Sequence, residues 1–164
     1  MVNSLAVEVV GLLADRRLTV AVAESLTGGM LVAELISAPG ASAVVLGGVV
    51  AYNTSLKHSL LGVDATLLAV EGPVDPEVAK QMADHVRATL AVDGKAADIG
   101  LSTTGVAGPD SQNGHPPGTV HLGFAIGDEI FSVPLELVGD REAIRTATVS
   151  ESLRQLMNRL RPAP

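Results

Sequence analysis

Through its first 103 residues the chain alternates short aliphatic runs with stretches of helical periodicity, and that alternation restricts the fold more than any other feature. Residues 3–16 (NSLAVEVVGLLADR) place apolar groups at helical spacing, with Asn3 or Ser4 as the cap. Leu18–Ala23 reads as a buried strand, and Glu24–Gly29 leads into a helix to about Ser37. Pro39-Gly40 breaks the chain before a second strand over residues 43–52. Short helices over 53–60 and from Asp64 to about Val70 follow, and Asp75-Pro76-Glu77 opens a longer helix to about Ala91. Ala97–Thr103 reads as the third strand and Gly105–Pro117 as a long loop. Gly118–Ile126 and Glu129–Leu137 flank the hairpin turn Gly127-Asp128, and Asp140 caps a last helix to about Arg161. Helix-linked strands followed by a hairpin predict a three-layer α/β/α domain, its sheet mixed but mostly parallel. No internal repeat or linker divides residues 1–164, so one domain is expected.

Aromatic residues make up only 2% of a chain that is 47% hydrophobic, so the core must be aliphatic. The longest apolar runs, such as Ala43–Ala51, are too short to cross a bilayer, and the N-terminus has no signal-peptide pattern. No membrane association and a cytoplasmic location are the expectations. A net charge of −7 argues against nucleic acid as a partner, because phosphate backbones demand clustered Lys and Arg. Cysteine is absent, which removes disulfides, thiolate metal sites and a Cys nucleophile. His58, His85, His115 and His121 show no paired ligand spacing, so no metal or other cofactor is expected. His58 adjoins Lys57 and is a candidate to line a site. A mean hydropathy of +0.37 with few charges predicts a homodimer or higher homo-oligomer.

Three loops at the carboxyl ends of the predicted strands carry the chemistry-bearing residues, and ligands of open α/β sheets bind at such ends. Glu24-Ser25-Leu26-Thr27-Gly28-Gly29 can present a hydroxyl beside free N–H groups at a helix start. The second is Tyr52–Lys57, and the third runs from Ser102 through Thr104 and Gly105 to Asp110. Each also has a structural reading: Ser25 as a helix cap, Tyr52 and Lys57 as surface residues, the glycines as turn formers. Lys57 is one of only three lysines, with Lys80 and Lys95, so a role that needs a lysine has few candidates.

Taken together, AESLTGG (23–29), GGVVAYNTSLK (47–57), LGV (61–63), GPVDPEVAKQMA (72–83), STTGVAGPD (102–110), PPGTVHLG (116–123) and GDREAIR (139–145) resemble the C-terminal domain of the CinA competence/damage-inducible family. That family includes stand-alone amidohydrolases of nicotinamide mononucleotide (NMN). The resemblance covers nearly the whole chain and implies an α/β/α fold. It implies hydrolysis of NMN to nicotinate mononucleotide and ammonia, in pyridine nucleotide salvage. The family's nucleophile falls on Ser25, its lysine on Lys57, its tyrosine on Tyr52, the polar residue before the GxAGP turn on Thr104 and its arginine on Arg141. Leu26 stands where many relatives have Cys, and residues 111–117 (SQNGHPP) depart from the expected Gly/Glu/Lys-rich loop. The larger N-terminal domain of full-length relatives has no counterpart here, so its pyrophosphatase activity is expected to be absent.

A serine hydroxyl needs a base, and no Ser-His-Asp arrangement is apparent. A Ser25–Lys57 dyad serves if burial or nearby positive charge, such as Arg141, keeps the amine neutral. Tyr52 would orient Lys57 or relay a proton. The N–H groups of Thr27, Gly28 and Gly29, with Gly105 and the Thr104 hydroxyl, would bind substrate and hold an oxyanion. Arg141 and Arg145, one helical turn apart, would meet the substrate phosphate, although Arg145 also reads as a solvated helix face. The rival class is a non-catalytic nucleotide-binding or interaction module related to competence and DNA-damage proteins. A third reading is an amidase for another amide.

Overall fold

The computed structural model describes residues 4–161 as a five-stranded sheet between two helical layers. Its elements are α1 (Ser4–Arg16), β1 (Val20–Glu24), α2 (Met30–Ser37), β2 (Val45–Val50), α3 (Thr54–Ser59), α4 (Ala65–Val70), α5 (Pro76–Thr89), β3 (Ile99–Gly105), β4 (Thr119–Ile126), β5 (Glu129–Glu136) and α6 (Arg141–Leu160). The strand order is β2-β1-β3-β4-β5. The first three strands run parallel, and β3, β4 and β5 pair antiparallel. This is the mixed α/β/α sheet that the alternation predicts. The carboxyl ends of β1, β2 and β3 therefore share one edge of the sheet.

Strand β1 divides its side chains between two cores. Val20 and Val22 of β1 join α1, α2 and α6 in one aliphatic core. Ala21 and Ala23 face the other way, onto Val78, Met82 and Val86 of α5 and onto Leu61, Val63 and Leu68. Small residues let α5 lie close on the sheet. A methyl group at Gly100 of β3 or Gly123 of β4 would run into the carbonyls of Ala83 or Ala79. That close approach fixes the start of α5, and with it Pro73 and Val74. The Asp75 carboxylate caps this helix by accepting from the N–H groups of Glu77 and Val78, with Pro76 at the first helical position.

Several boundaries differ from the sequence expectations. Strand β1 starts at Val20 and includes Glu24, and β3 extends through Thr104 and Gly105. Pairing with β2 and β3 holds Glu24 extended, and pairing with β4 holds Thr104 and Gly105, which a reading of local composition does not register. Strand β2 starts later than expected, because Ala41–Ala43 form one turn of 3-10 helix after Pro39-Gly40. Asn3, a candidate cap of α1, lies outside the described residues. Pro134 interrupts the hydrophobic run of β5 without penalty to pairing, because β5 is an edge strand with one side unpaired. No helix among the described residues is long and apolar enough to cross a membrane.

The contact between α5 and the sheet can be tested directly. Gly100→Ala and Gly123→Ala should each lower the unfolding free energy by about 1–3 kcal/mol through overpacking. Gly11→Ala, where nothing stands near the added methyl group, should raise it by about 0.5–1 kcal/mol. Urea denaturation of the three variants measures this, and equal effects at Gly11 and Gly100 would refute close packing under α5.

Candidate active site

Ser25 follows the last residue of β1 and continues the ladder for one more bond, its N–H donating to the Thr103 carbonyl at 3.0 Å. The chain then turns through Leu26–Gly29 before α2. Gly28 and Gly29 both adopt positive φ (59° and 96°), a conformation that side-chain-bearing residues rarely take. That turn leaves Ser25 at the head of the sheet.

Lys57 arrives from the other side. Asn53 caps α3 by accepting from the Ser55 N–H, which starts the helix immediately after β2. The side chain of Lys57 then points inward and is 1% exposed. Its Nζ lies 2.8 Å from the Ala51 carbonyl and 3.1 Å from Ser25 Oγ. A protonated amine donates to both, whereas a neutral amine can donate to Ala51 and accept from the Ser25 hydroxyl. Burial pulls the Lys57 pKa from 10.5 down to about 8, because the charged form loses hydration.

A cleft of about 170 Å³ opens over this pair. Leu26, Val74, Val106 and Ala107 supply its apolar wall, and Tyr52, Asp110, Gln112 and Arg141 its polar rim. Thr104 and Gly105 line its floor, and the Thr104 hydroxyl donates to the Pro73 carbonyl. That proton is therefore committed and is not offered to an oxyanion. Tyr52 is 60% exposed, and its hydroxyl accepts from Arg141 rather than meeting Lys57. Arg141 also donates to the Gly108 carbonyl at 2.7 Å, so one guanidinium ties two sides of the cleft mouth together.

The side chains of the remaining predicted residues stand behind the cleft. The Thr27 hydroxyl shares a hydrogen bond with that of Thr103. The Gly28 N–H donates to the Ser25 carbonyl, and the Gly29 N–H to the Glu24 carboxylate. Arg145 donates to the carbonyls of Leu26 and Thr27 and does not line the cleft. His58 binds the Val63 carbonyl through Nδ1, which fastens the chain after α3 and leaves it out of the cleft lining. The sequence reading passed over Glu24. This fully buried carboxylate accepts from Gly29, Leu31 and Val32, so it anchors the start of α2. An acid just before a glycine turn that leads into a helix was the available signal.

Fold and site together define an α/β/α domain with a buried serine–lysine pair at the head of its parallel strands. The chain belongs to the CinA family: the model of the CinA C-terminal domain matches residues 2–160. It is 48% identical over 151 residues, 92% of its length, to a CinA-like protein of Frankia casuarinae. The crystal structure of a CinA superfamily protein from Klebsiella pneumoniae is 32% identical and covers 95% of both chains at a TM-score of 0.89. A competence or damage-inducible protein from Enterobacter asburiae superposes with a TM-score of 0.92 at 27% identity, over 98% of this chain and 99% of that one. The chain spans about a third of the length of the curated relatives it matches.

Burial of Lys57 has a consequence for stability. With its folded pKa near 8 and its ordinary value 10.5, the unfolded chain binds more protons between those limits. Unfolding free energy should therefore rise with pH from about 8 to 10.5 and lose this dependence below about 8, where both states hold the proton. Lys57→Met should remove the slope. Denaturation midpoints across this range decide it, and equal slopes in the two proteins would refute the account.

Proposed function

We propose that the domain is an amidohydrolase that converts NMN and water to nicotinate mononucleotide and ammonia. The observation that carries this reading is the 3.1 Å approach of a buried, pKa-lowered lysine to Ser25 Oγ in a cleft. Neutral Lys57 takes the Ser25 proton as Oγ bonds to the carboxamide carbon, and a tetrahedral intermediate forms. The protonated amine passes that proton to the departing nitrogen, which leaves as ammonia. Water then attacks the acyl-enzyme. Lys57 accepts its proton and returns it to Ser25 as the C–O bond breaks.

A cleft of about 170 Å³ is smaller than the roughly 300 Å³ of pockets that enclose a drug-sized ligand. It suits the reacting carboxamide and leaves the ribose phosphate at the mouth. There the exposed ring of Tyr52 can stack on the cationic pyridinium, and Arg141 can meet the phosphate. The N–H groups of Leu26 and Thr27 have no protein acceptor among the described residues, unlike those of Gly28 and Gly29. They are the donors left for the oxyanion. A phosphorylated substrate that does not cross membranes by itself fits a cytosolic enzyme of nucleotide salvage.

Ammonia release from NMN tests the reading. Ser25→Ala should lower turnover by more than about a thousandfold, and the wild-type rate should rise with pH through about 8. Lys57→Arg should be inactive, since a guanidinium keeps its proton, whereas Lys80→Ala should match wild type. Turnover by Ser25→Ala within a few-fold of wild type would end the nucleophile assignment. A wild-type protein that binds NMN without releasing ammonia would leave the binding-module reading.

Self-association belongs to the same proposal. Val50 at the end of edge strand β2, with Leu56 on α3 and Leu60 just after it, are exposed apolar side chains. A homodimer or larger assembly that covers them is the expected state in solution. Light scattering at micromolar concentration should return at least twice the 16.7 kDa chain mass, and a monomer would refute this.

A further inference from the structure

Arg145 holds two adjacent carbonyls of the turn that follows the nucleophile, from outside the cleft. Its Nε donates to Leu26 O at 2.9 Å and its terminal nitrogen to Thr27 O at 3.2 Å. The two peptide groups so gripped join Leu26 to Thr27 and Thr27 to Gly28. In a trans peptide the N–H points opposite to the C=O. A cation on the Leu26 carbonyl therefore fixes the plane of that peptide and turns the Thr27 N–H away from Arg145. It also draws electron density toward the oxygen, which strengthens the N–H as a donor.

The rest of the turn is fully engaged. The Gly28 N–H is closed on the Ser25 carbonyl, the Gly29 N–H on Glu24, and the Thr27 hydroxyl on Thr103. Gly28 also gives the guanidinium room, since a Cβ there would stand 3.3 Å from its nitrogen. What this arrangement leaves without an acceptor, among the described residues, is the pair of N–H groups of Leu26 and Thr27.

We propose that Arg145 is a positioning residue of the oxyanion site: it orients and polarises the Leu26–Thr27 peptide so that the Thr27 N–H, beside that of Leu26, receives the charge that develops when Ser25 attacks. This rests on the serine-nucleophile reading above. It moves Arg145 from substrate binding, where its sequence position had put it, to a role exerted through the backbone.

The test compares the full chain with Arg145→Ala and Arg145→Lys, and with Arg154→Gln as a control. Arg154 lies on the same helix, exposed and paired with Glu151. Turnover is measured with NMN and with nicotinamide riboside, which lacks the phosphate. Covalent labelling of Ser25 by a fluorophosphonate is timed in parallel. There Oγ bonds to phosphorus, fluoride leaves, and the P=O oxygen takes the place of the oxyanion.

Arg145→Ala should lower kcat for both substrates by about 10- to 100-fold with KM little changed. The labelling rate should fall by a similar factor, and added guanidinium should restore part of it. Arg145→Lys, which keeps a cation but loses the fork, should fall between, and Arg154→Gln should match wild type. Thermal unfolding confirms that each variant is folded. If Arg145→Ala fails to fold, Arg145→Lys and its labelling rate decide.

A folded variant with wild-type kcat and labelling overturns the inference. So does a rise in KM confined to NMN, which would make Arg145 a phosphate ligand. A wild type that releases no ammonia but is labelled at Ser25 overturns the NMN reading alone, and the labelling rates still decide the role of Arg145. A wild type that is not labelled overturns both.

Discussion

The buried amine of Lys57 is the constraint around which the rest of the site is arranged. An ammonium group taken out of water is costly unless something compensates it. Here the compensation is meagre: a backbone carbonyl from Ala51 and a serine hydroxyl, with no carboxylate in ion-pair contact among the described residues. The same poverty of partners lets the amine lose its proton near neutral pH. A carboxylate beside it would hold the ammonium form and raise its pKa. The protein's abundant acids are accordingly employed elsewhere, Glu24 on the N–H groups of α2 and Asp75 on those of α5.

Ser25 has to meet that amine at a fixed distance, and its placement comes from three separate directions. Strand pairing with β3 sets its backbone, the Glu24 carboxylate sets the helix that follows, and Arg145 grips the turn between them. The glycines at 100 and 123 bring α5 down onto the sheet and so place Pro73 and Val74 against the cleft. The end of β1 and the helix α3 thus carry Ser25 and Lys57, while the mouth is built from loops and from the exposed start of α6.

Much of this could be read from the sequence because local rules governed it. The alternation of strands and helices, the Asp75-Pro76 helix start and the Gly127-Asp128 hairpin all follow from short-range chemistry, and the structure has them. The structure also brings Ser25 and Lys57 together, a contact between separate segments that the family motifs, not local spacing, made legible. What escaped depends on partners distant in the chain. Thr104 looked available in a glycine-rich loop, yet strand pairing places it opposite His121 and its hydroxyl reaches Pro73. Arg145 looked like a second phosphate ligand by its spacing from Arg141, but the helix turns it toward the back of residues 26–27. Glu24 drew no notice because a buried carboxylate is recognisable only once the N–H groups that receive it are in view.

Tyr52 is the only tyrosine in the chain, and tryptophan is absent. Its ring stands exposed at the mouth of the cleft, with its hydroxyl held by Arg141. The protein's tyrosine emission therefore originates at a single point, at the mouth where a ligand would enter. The molecule carries its own optical probe at that position, without any label, and every change in that signal reports on the entrance rather than on the core.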